Sequence, residues 1–320
     1  MDIVYKPGFS VFMNRDSPVY VVPHAGPAFE TPTSRDENTD TVASLCWMVT
    51  GGKMIISTIS RKRALGIDFN RDPPPKTKAI KFYPQFVADK GHSELYDFRK
   101  KYAWVAKDEH DHKEKSRMYR DFWKAVKKEG DLVVFMHRKF TRIKNYPSII
   151  DIVTYGGSGI NMDIVKAALK KINRKYAPFF KRITPHYRNA IIAEEKRVID
   201  RTKSIFGEFD LDKMKAEYRA NITGDVNIIK RFADRPVVRR LEKRFNEKNF
   251  LSALRNALRK GRPLVTMETI FKGGSALTQK KPLFEKTVLE IESDSFVNYW
   301  YPNETANIIL ELLKIIRSGS

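Results

Sequence analysis

Cysteine is nearly absent. Cys46 is the only one in 320 residues, which excludes an internal disulfide and any cysteine-based zinc cluster. Long apolar runs are missing as well: no stretch approaches the roughly 18 consecutive apolar residues of a membrane span. The opening MDIVYKPGFSVFMNRDSPVY lacks an apolar h-region leading to a small-residue cleavage site, so it does not read as a secretory signal. Acidic residues are scarce beside basic ones, 38 against 60, for a net charge of +22. These absences leave a soluble, cytoplasmic protein with no membrane partner as the expectation. What is present suffices for a core, since 42% of residues are hydrophobic, and a wholly disordered chain is excluded.

The basic excess is regional. Residues 161–260 hold 26 Lys and Arg against 12 Asp and Glu, a net +14, which leaves +8 for the other 220. The same region reads as helix. DIVKAALKKI, AIIAEEKRVIDRTKSIF, DLDKMKAEYRA and NFLSALRNALRK place apolar residues three and four apart, with Asp210 and Asn249 as N-caps of the last two. Solvated helix faces explain such charge, and a surface for RNA or another polyanion is the alternative. No RNP-like strand, aromatic platform or helix-turn-helix pattern accompanies it.

Elsewhere strands alternate with helices. YVVPHAG, KMIISTIS, DLVVFMH, SIIDIVTY and TVLEIES read as strands, and TDTVASLCWMVTGG, MYRDFWKAVKKEG and TANIILELLKIIRS as helices. This alternation predicts a single α/β domain over 1–320, with a largely parallel sheet sandwiched between helices and 161–260 as a basic helical insertion or lid. In such sheets functional groups collect past the strand ends. His24 follows YVVP, His137 follows DLVVFM, Asn70 and Arg71 follow the turn after KMIISTIS, and Glu290 lies in TVLEIES. Two imidazoles, an arginine and a carboxylate are the set a mononuclear zinc hydrolase needs. His110 and His112, in DEHDHKEK, form a competing pair in a charged segment.

A third ligand should be an acid near His24. SRDENTDTVASL offers Asp36, Glu37 and Asp40 at a helix start; Asp40 ranks first and Glu37 second. In RALGIDFNRDP, Asp68 can tie down the turn while the Asn70 amide and the Arg71 fork bind a carboxylate. Arg63 upstream can steady an oxyanion.

These strings resemble, in order, the N-formylglutamate amidohydrolases, which are similar in fold to the zinc carboxypeptidases and aspartoacylases. PHAG resembles the family's Pro-His-Ser-Gly strand end, SRKRALGIDFNRDP its Arg…Asp-x-Asn-Arg-x-Pro loop, DLVVFMHRK its second histidine strand, and IFKGGSALTQ with TVLEIESDSF its closing segments. Most of 18–160 and 262–300 is covered. The resemblance implies a three-layer α/β/α sandwich with a mixed, largely parallel sheet. It implies zinc held by His24, His137 and Asp40 or Glu37, with Asn70 and Arg71 clamping the carboxylate of a small N-acyl amino acid. Arg63 would polarise the scissile carbonyl, and Glu290 would act as general base on water activated by zinc. Lys272 would shape the pocket or bind an anion. The family's Asp-x-His-Ser is Phe135-Met136-His137-Arg138 here, so the carboxylate that usually orients the second histidine is missing from that place.

Overall fold

A computed structural model describes residues 1–28, 35–88, 93–128, 130–207 and 247–319. The expected helix DLDKMKAEYRA, with its Asp210 cap, lies outside the described residues. In chain order the elements are β1 Asp2–Lys6, β2 Phe9–Met13, β3 Val19–Val22, α1 Thr39–Thr50, β4 Lys53–Ser57, α2 Lys76–Val87 and α3 Ser93–Lys101. There follow α4 Glu109–Lys127, β5 Leu132–Lys139, β6 Ser148–Val153, α5 Met162–Lys175, α6 Ala177–Phe206 and α7 Glu247–Arg259. The chain closes with β7 Leu264–Met267, α8 Leu277–Lys280, β8 Thr287–Asp294, α9 Ser295–Trp300 and α10 Pro302–Gly319.

The protein is α/β, with one mixed sheet ordered β1-β2-β4-β3-β5-β8-β6-β7. β4, β3, β5 and β8 run parallel as a contiguous block. β1 and β2 form an antiparallel hairpin added to β4, and β6 is antiparallel to β8, so the sheet is less uniformly parallel than the alternation predicts. The hairpin turns on Pro7-Gly8, where Gly8 has φ +87°, a conformation glycine adopts without a Cβ clash.

Period-two alternation divides each central strand between two cores. Tyr20 and Val22, Val134 and Met136, Leu289 and Ile291 face one side, packed with Val42 and Cys46 of α1, Val165 and Ile172 of α5 and Ile309 and Leu312 of α10. Val19 and Val21, Val133 and Phe135 face the other, against Tyr119, Phe122 and Val126 of α4. Each such side chain contributes about 1.5–3 kcal/mol when fully buried, so both faces hold the sheet.

The basic block shares the first core. Phe180, Ile183, Tyr187 and Ile191 of α6 and Leu254 and Leu258 of α7 are buried in it with α5. Asn161 caps α5, its side chain accepting from Asp163 N at 2.8 Å. α7 begins at Glu247, which places Asn249 inside the helix and not at its cap. α4 begins earlier than its apolar periodicity suggests, because Asp108 caps it by accepting from Asp111 N at 2.8 Å. His110 and His112 are therefore first-turn helix residues. α2 starts directly after the triple proline, with Pro75 at its N-cap, where a missing N–H does no harm. Among the described residues no helix is long and apolar enough to cross a membrane.

Candidate metal centre

The carboxyl ends of β3, β5 and β8 converge in the middle of the sheet, and the loop after β4 closes over them. β3 ends at Val22 and delivers Pro23 and His24 into a tight turn. At Gly26 a Cβ would stand 1.8 Å from the Ile59 carbonyl oxygen, so only glycine lets this turn press against the loop after β4. The chain then returns: Asp36 N donates to the His24 carbonyl at 2.9 Å. His137 lies on β5, with Glu292 as its register partner on β8.

Three buried donors meet here. His24 Nδ1 lies 3.0 Å and His137 Nδ1 3.2 Å from the same oxygen, Asp36 Oδ2, and the ring centroids are 4.9 Å apart. One ligand atom from each of the three residues falls within 4.8 Å of the others, and this group could hold a metal ion. The other ring nitrogens are held from behind. His24 Nε2 stands 2.7 Å from Asp68 Oδ1; a proton there donates to that carboxylate and leaves Nδ1 as an acceptor, 3.0 Å from Arg61 Nη1. His137 Nε2 stands 3.2 Å from Asn70 Nδ2, while Asn70 Oδ1 is buried without a partner. A ring that accepts from this amide at Nε2 carries its proton on Nδ1 and donates it to Asp36 Oδ2. Both imidazoles, together with a buried acid, fit a metal ion.

Asp36, not Asp40 or Glu37, is the acid between the imidazoles. Asn38, at the cap of α1, has φ +59°, and the turn it makes directs the residues after it away. Asp40 pairs with Arg35 at 2.7 Å and Glu37 with Arg138 at 3.1 Å. Burial alone would raise the Asp36 carboxyl, but Arg61, His24 and His137 together hold it well below the usual carboxylate range. Arg61 is the guanidinium at this centre: its Nη1 lies 3.0 Å from His24 Nδ1 and 3.3 Å from Asp36 Oδ1. Arg63, expected there, is turned into the loop. It donates to the Arg99 carbonyl at 2.6 Å and pairs with Asp68 at 3.0 Å, and burial pulls it down to about 10 despite that pairing. Arg61 and Arg63 both lie in the RKR string, and their spacing alone does not reveal which one turns inward.

Arg71 projects to the far side of the same loop. Its Nη1 donates to the Asn70 carbonyl at 2.9 Å and to Ser275 Oγ, and its Nε is buried without a partner. It borders a cleft of about 400 Å³ that is lined by both signs of charge, Lys100 and Lys101 together with Asp72 and Asp97. Asp68 ties the turn as expected, its Oδ1 accepting from Asn70 N at 3.1 Å. Lys272 is exposed, near Glu268.

Glu290 is engaged by partners that no motif announced. Lys280, wholly buried, donates to its Oε2 at 2.6 Å, and the Tyr155 hydroxyl donates to the same atom at 2.9 Å. Tyr155 reaches it from φ +58°. The Lys280 ammonium also lies 4.7 Å from the Phe135 ring centroid. Burial raises the Glu290 carboxyl, but Lys280 and His137 overcome it and keep the group ionised. Glu292 moves the other way: burial, Glu290 and Asp36 raise it well above the usual range. Arg138, next to His137 in sequence, is buried and donates to Glu37 and to the Arg35 carbonyl.

Comparison with protein-family models, with curated proteins and with solved structures finds no match to this chain.

Proposed function

We propose that this protein is a cytoplasmic, zinc-dependent amidohydrolase. Its substrate is a small N-acyl amino acid of the N-formylglutamate type or a related carboxylate-bearing amide, and its architecture is the three-layer α/β/α sandwich of the zinc carboxypeptidases. The convergence of His24, Asp36 and His137 one loop away from Arg71 carries this reading. The 3.0 and 3.2 Å separations between imidazole and carboxylate compare with about 3.3 Å between ligands of a tetrahedral ion with bonds of about 2.0–2.1 Å. When bound, zinc supplies Lewis acidity and brings the pKa of water from about 16 to about 7.

The chain's own residues divide the remaining work. Arg71, beside Lys100 and Lys101 in a cleft that Asp72 and Asp97 also line, binds the substrate carboxylate, a charge-assisted contact of about 1.5–3 kcal/mol. Arg61, not Arg63, polarises the scissile carbonyl. Asn70 orients His137, leaving the clamp to Arg71. Glu290, held as a carboxylate by Lys280 and Tyr155, is the group able to accept a proton from water, and Glu292, whose raised carboxyl keeps its proton, can donate one to the leaving amine. Asp68 positions His24.

The test is metal analysis of protein purified without added zinc, followed by reconstitution. Hydrolysis of N-formyl and N-acetyl glutamate and aspartate is then assayed beside that of their α-carboxamides. About one equivalent of zinc, hydrolysis restricted to the free acids, and loss of both in His137→Ala are expected. Less than about a tenth of an equivalent after reconstitution, or full activity in His137→Ala, overturns the proposal.

A further inference from the structure

The sheet has two edges, β7 and β1, and they are finished differently. At β7 the outward N–H and C=O of Val265 are taken by a side chain. Val265 N donates to Asn173 Oδ1 at 2.9 Å, and Asn173 Nδ2 donates to the Val265 carbonyl at 2.8 Å. The Asn173 amide, carried on α5, thereby stands in for a further strand. β1 has no such cover. All of Asp2–Lys6 is exposed, and among the described residues no side chain bonds to this strand and no ion pair engages Asp2 or Lys6.

Open edges pair with other chains, and proteins ordinarily blunt them with proline or a bulge. β1 has neither. Its register with β2 is regular from Asp2↔Met13 to Lys6↔Phe9, and DIVYK contains no proline. Ile3, Val4 and Tyr5 are 38, 41 and 76% exposed, although β-branched and aromatic residues are the ones that favour a strand.

The hairpin register fixes which groups face outward. Pro7 and Gly8 form a tight turn, so its flanking pair, Lys6 and Phe9, exchanges both main-chain bonds. Lys6, Val4 and Asp2 therefore bond toward β2, and the N–H and C=O of Ile3 and Tyr5 point away from the sheet. Side chains alternate as well. Ile3 and Tyr5 share the face of Phe12, whose ring lies 6.1 Å from that of Trp47 in α1, and Asp2, Val4 and Lys6 share the other.

This edge is complementary to itself. Two antiparallel copies related by a two-fold axis through Val4 set Ile3 opposite Tyr5, each pair exchanging both outward bonds. The same axis sets Val4 opposite Val4, and Asp2 of either copy opposite Lys6 of the other. In-register parallel pairing would oppose like charges, which is destabilising. An antiparallel shift by two residues would lose both charge pairs. We propose that β1 is a homodimer interface, at which two copies of this chain join their sheets edge to edge about that axis. The inference rests on the sheet and is independent of the metal centre.

Sedimentation velocity of the full chain, carrying no N-terminal tag, tests it from about 1 to about 500 µM. A strand of this length makes an interface at the small end of the known range, so a dimer that dissociates on dilution is expected. Salt at about 0.15 M screens the +22 charge of each copy beyond about 8 Å. Val4→Lys, which sets two ammonium groups on the axis, should weaken association by about tenfold or more. Asp2→Lys and Lys6→Asp should each weaken it by about fivefold, and Asp2→Lys/Lys6→Asp, which exchanges the charges, should recover to within about twofold of wild type. Equal circular dichroism spectra show that each variant is folded. A chain that stays monomeric throughout overturns the proposal. So does association indifferent to Val4→Lys, which would place the interface elsewhere, or failure of the exchanged variant to recover, which would refute the antiparallel register.

Discussion

Replacing Asp36 by Asn tests the metal centre most directly, because Asp40→Asn, four positions along, serves as an internal control. Asp36 is 3% exposed; it lies against both imidazoles and accepts from Arg61 and from the Arg138 backbone N–H. The substitution keeps its shape and removes the buried charge that Arg61 and both imidazoles face. Breaking a buried ion pair in this way costs about 3–5 kcal/mol. Asp40 is paired at the surface with Arg35, and such pairs contribute about 0–1 kcal/mol. The effect on metal binding should be larger still. Altering even an outer partner of a metal ligand weakens binding by about 10–100-fold, so removing a ligand charge should cost at least about 100-fold. At a zinc concentration about 100 times the wild-type Kd, zinc stabilises the native protein by about 2.7 kcal/mol. With affinity lowered 100-fold, the same zinc contributes only about 0.4 kcal/mol. Urea denaturation with and without zinc, with a chelator competition for Kd, reads both numbers. If Asp40→Asn abolishes the zinc-dependent gain while Asp36→Asn keeps it, the assignment of the third ligand is wrong.

Three further outcomes are expected. Lys280→Met should destabilise by about 3–5 kcal/mol by stranding the Glu290 carboxylate, and Lys280→Met/Glu290→Gln should recover much of that loss in a double-mutant cycle; a single-variant effect below about 1 kcal/mol would show that the pair is not buried as described. Gly26→Ala should lower stability by about 3 kcal/mol or more through the clash with the Ile59 carbonyl and should weaken zinc retention with it, as thermal melts and metal analysis can check. Because the folded state holds the Glu292 carboxyl above its unfolded value, this group favours folding below pH of about 4.3 and opposes it as pH rises. Metal-free Glu292→Gln should therefore melt higher than wild type at pH 8 and lose that advantage at pH 4, and equal melting temperatures at pH 8 would contradict the shift.

The strand ends were readable from the sequence because apolar runs and turn residues mark them, and His24 and His137 stand at two such ends. Asp36 was harder to single out. Three acids crowd the start of α1, and the choice among them depends on a left-handed Asn38 and one backbone bond to His24, neither of which has a side-chain pattern. The RKR string hid its inward member for a similar reason, since the loop after β4 follows no helical or strand period. Lys280 is adjacent to Lys281 in sequence, yet Lys280 is wholly buried and Lys281 exposed; only the seating of α8 against β8 separates them. α4 was visible through its apolar stripe, while its first turns, exposed at Glu109, His110 and Lys113, carry no such stripe and read only as a charged segment. The hairpin of β1 and β2 and the helix after the triple proline went unread, although Pro7-Gly8 and Pro75 are ordinary signals of a turn and of a helix start.

Asp68 has three simultaneous attachments, to the His24 ring, to the Arg63 fork and to the Asn70 amide. Its replacement would disturb the first imidazole, the packing of the loop and the support behind the second imidazole in one step. Under the proposed amidohydrolase function, variation in substrate preference is therefore confined to residues outside that knot. Lys100, Lys101 and Ser275, at the mouth of the Arg71 cleft, can change without touching it, and they are the positions at which descendants of this sequence could acquire a different substrate.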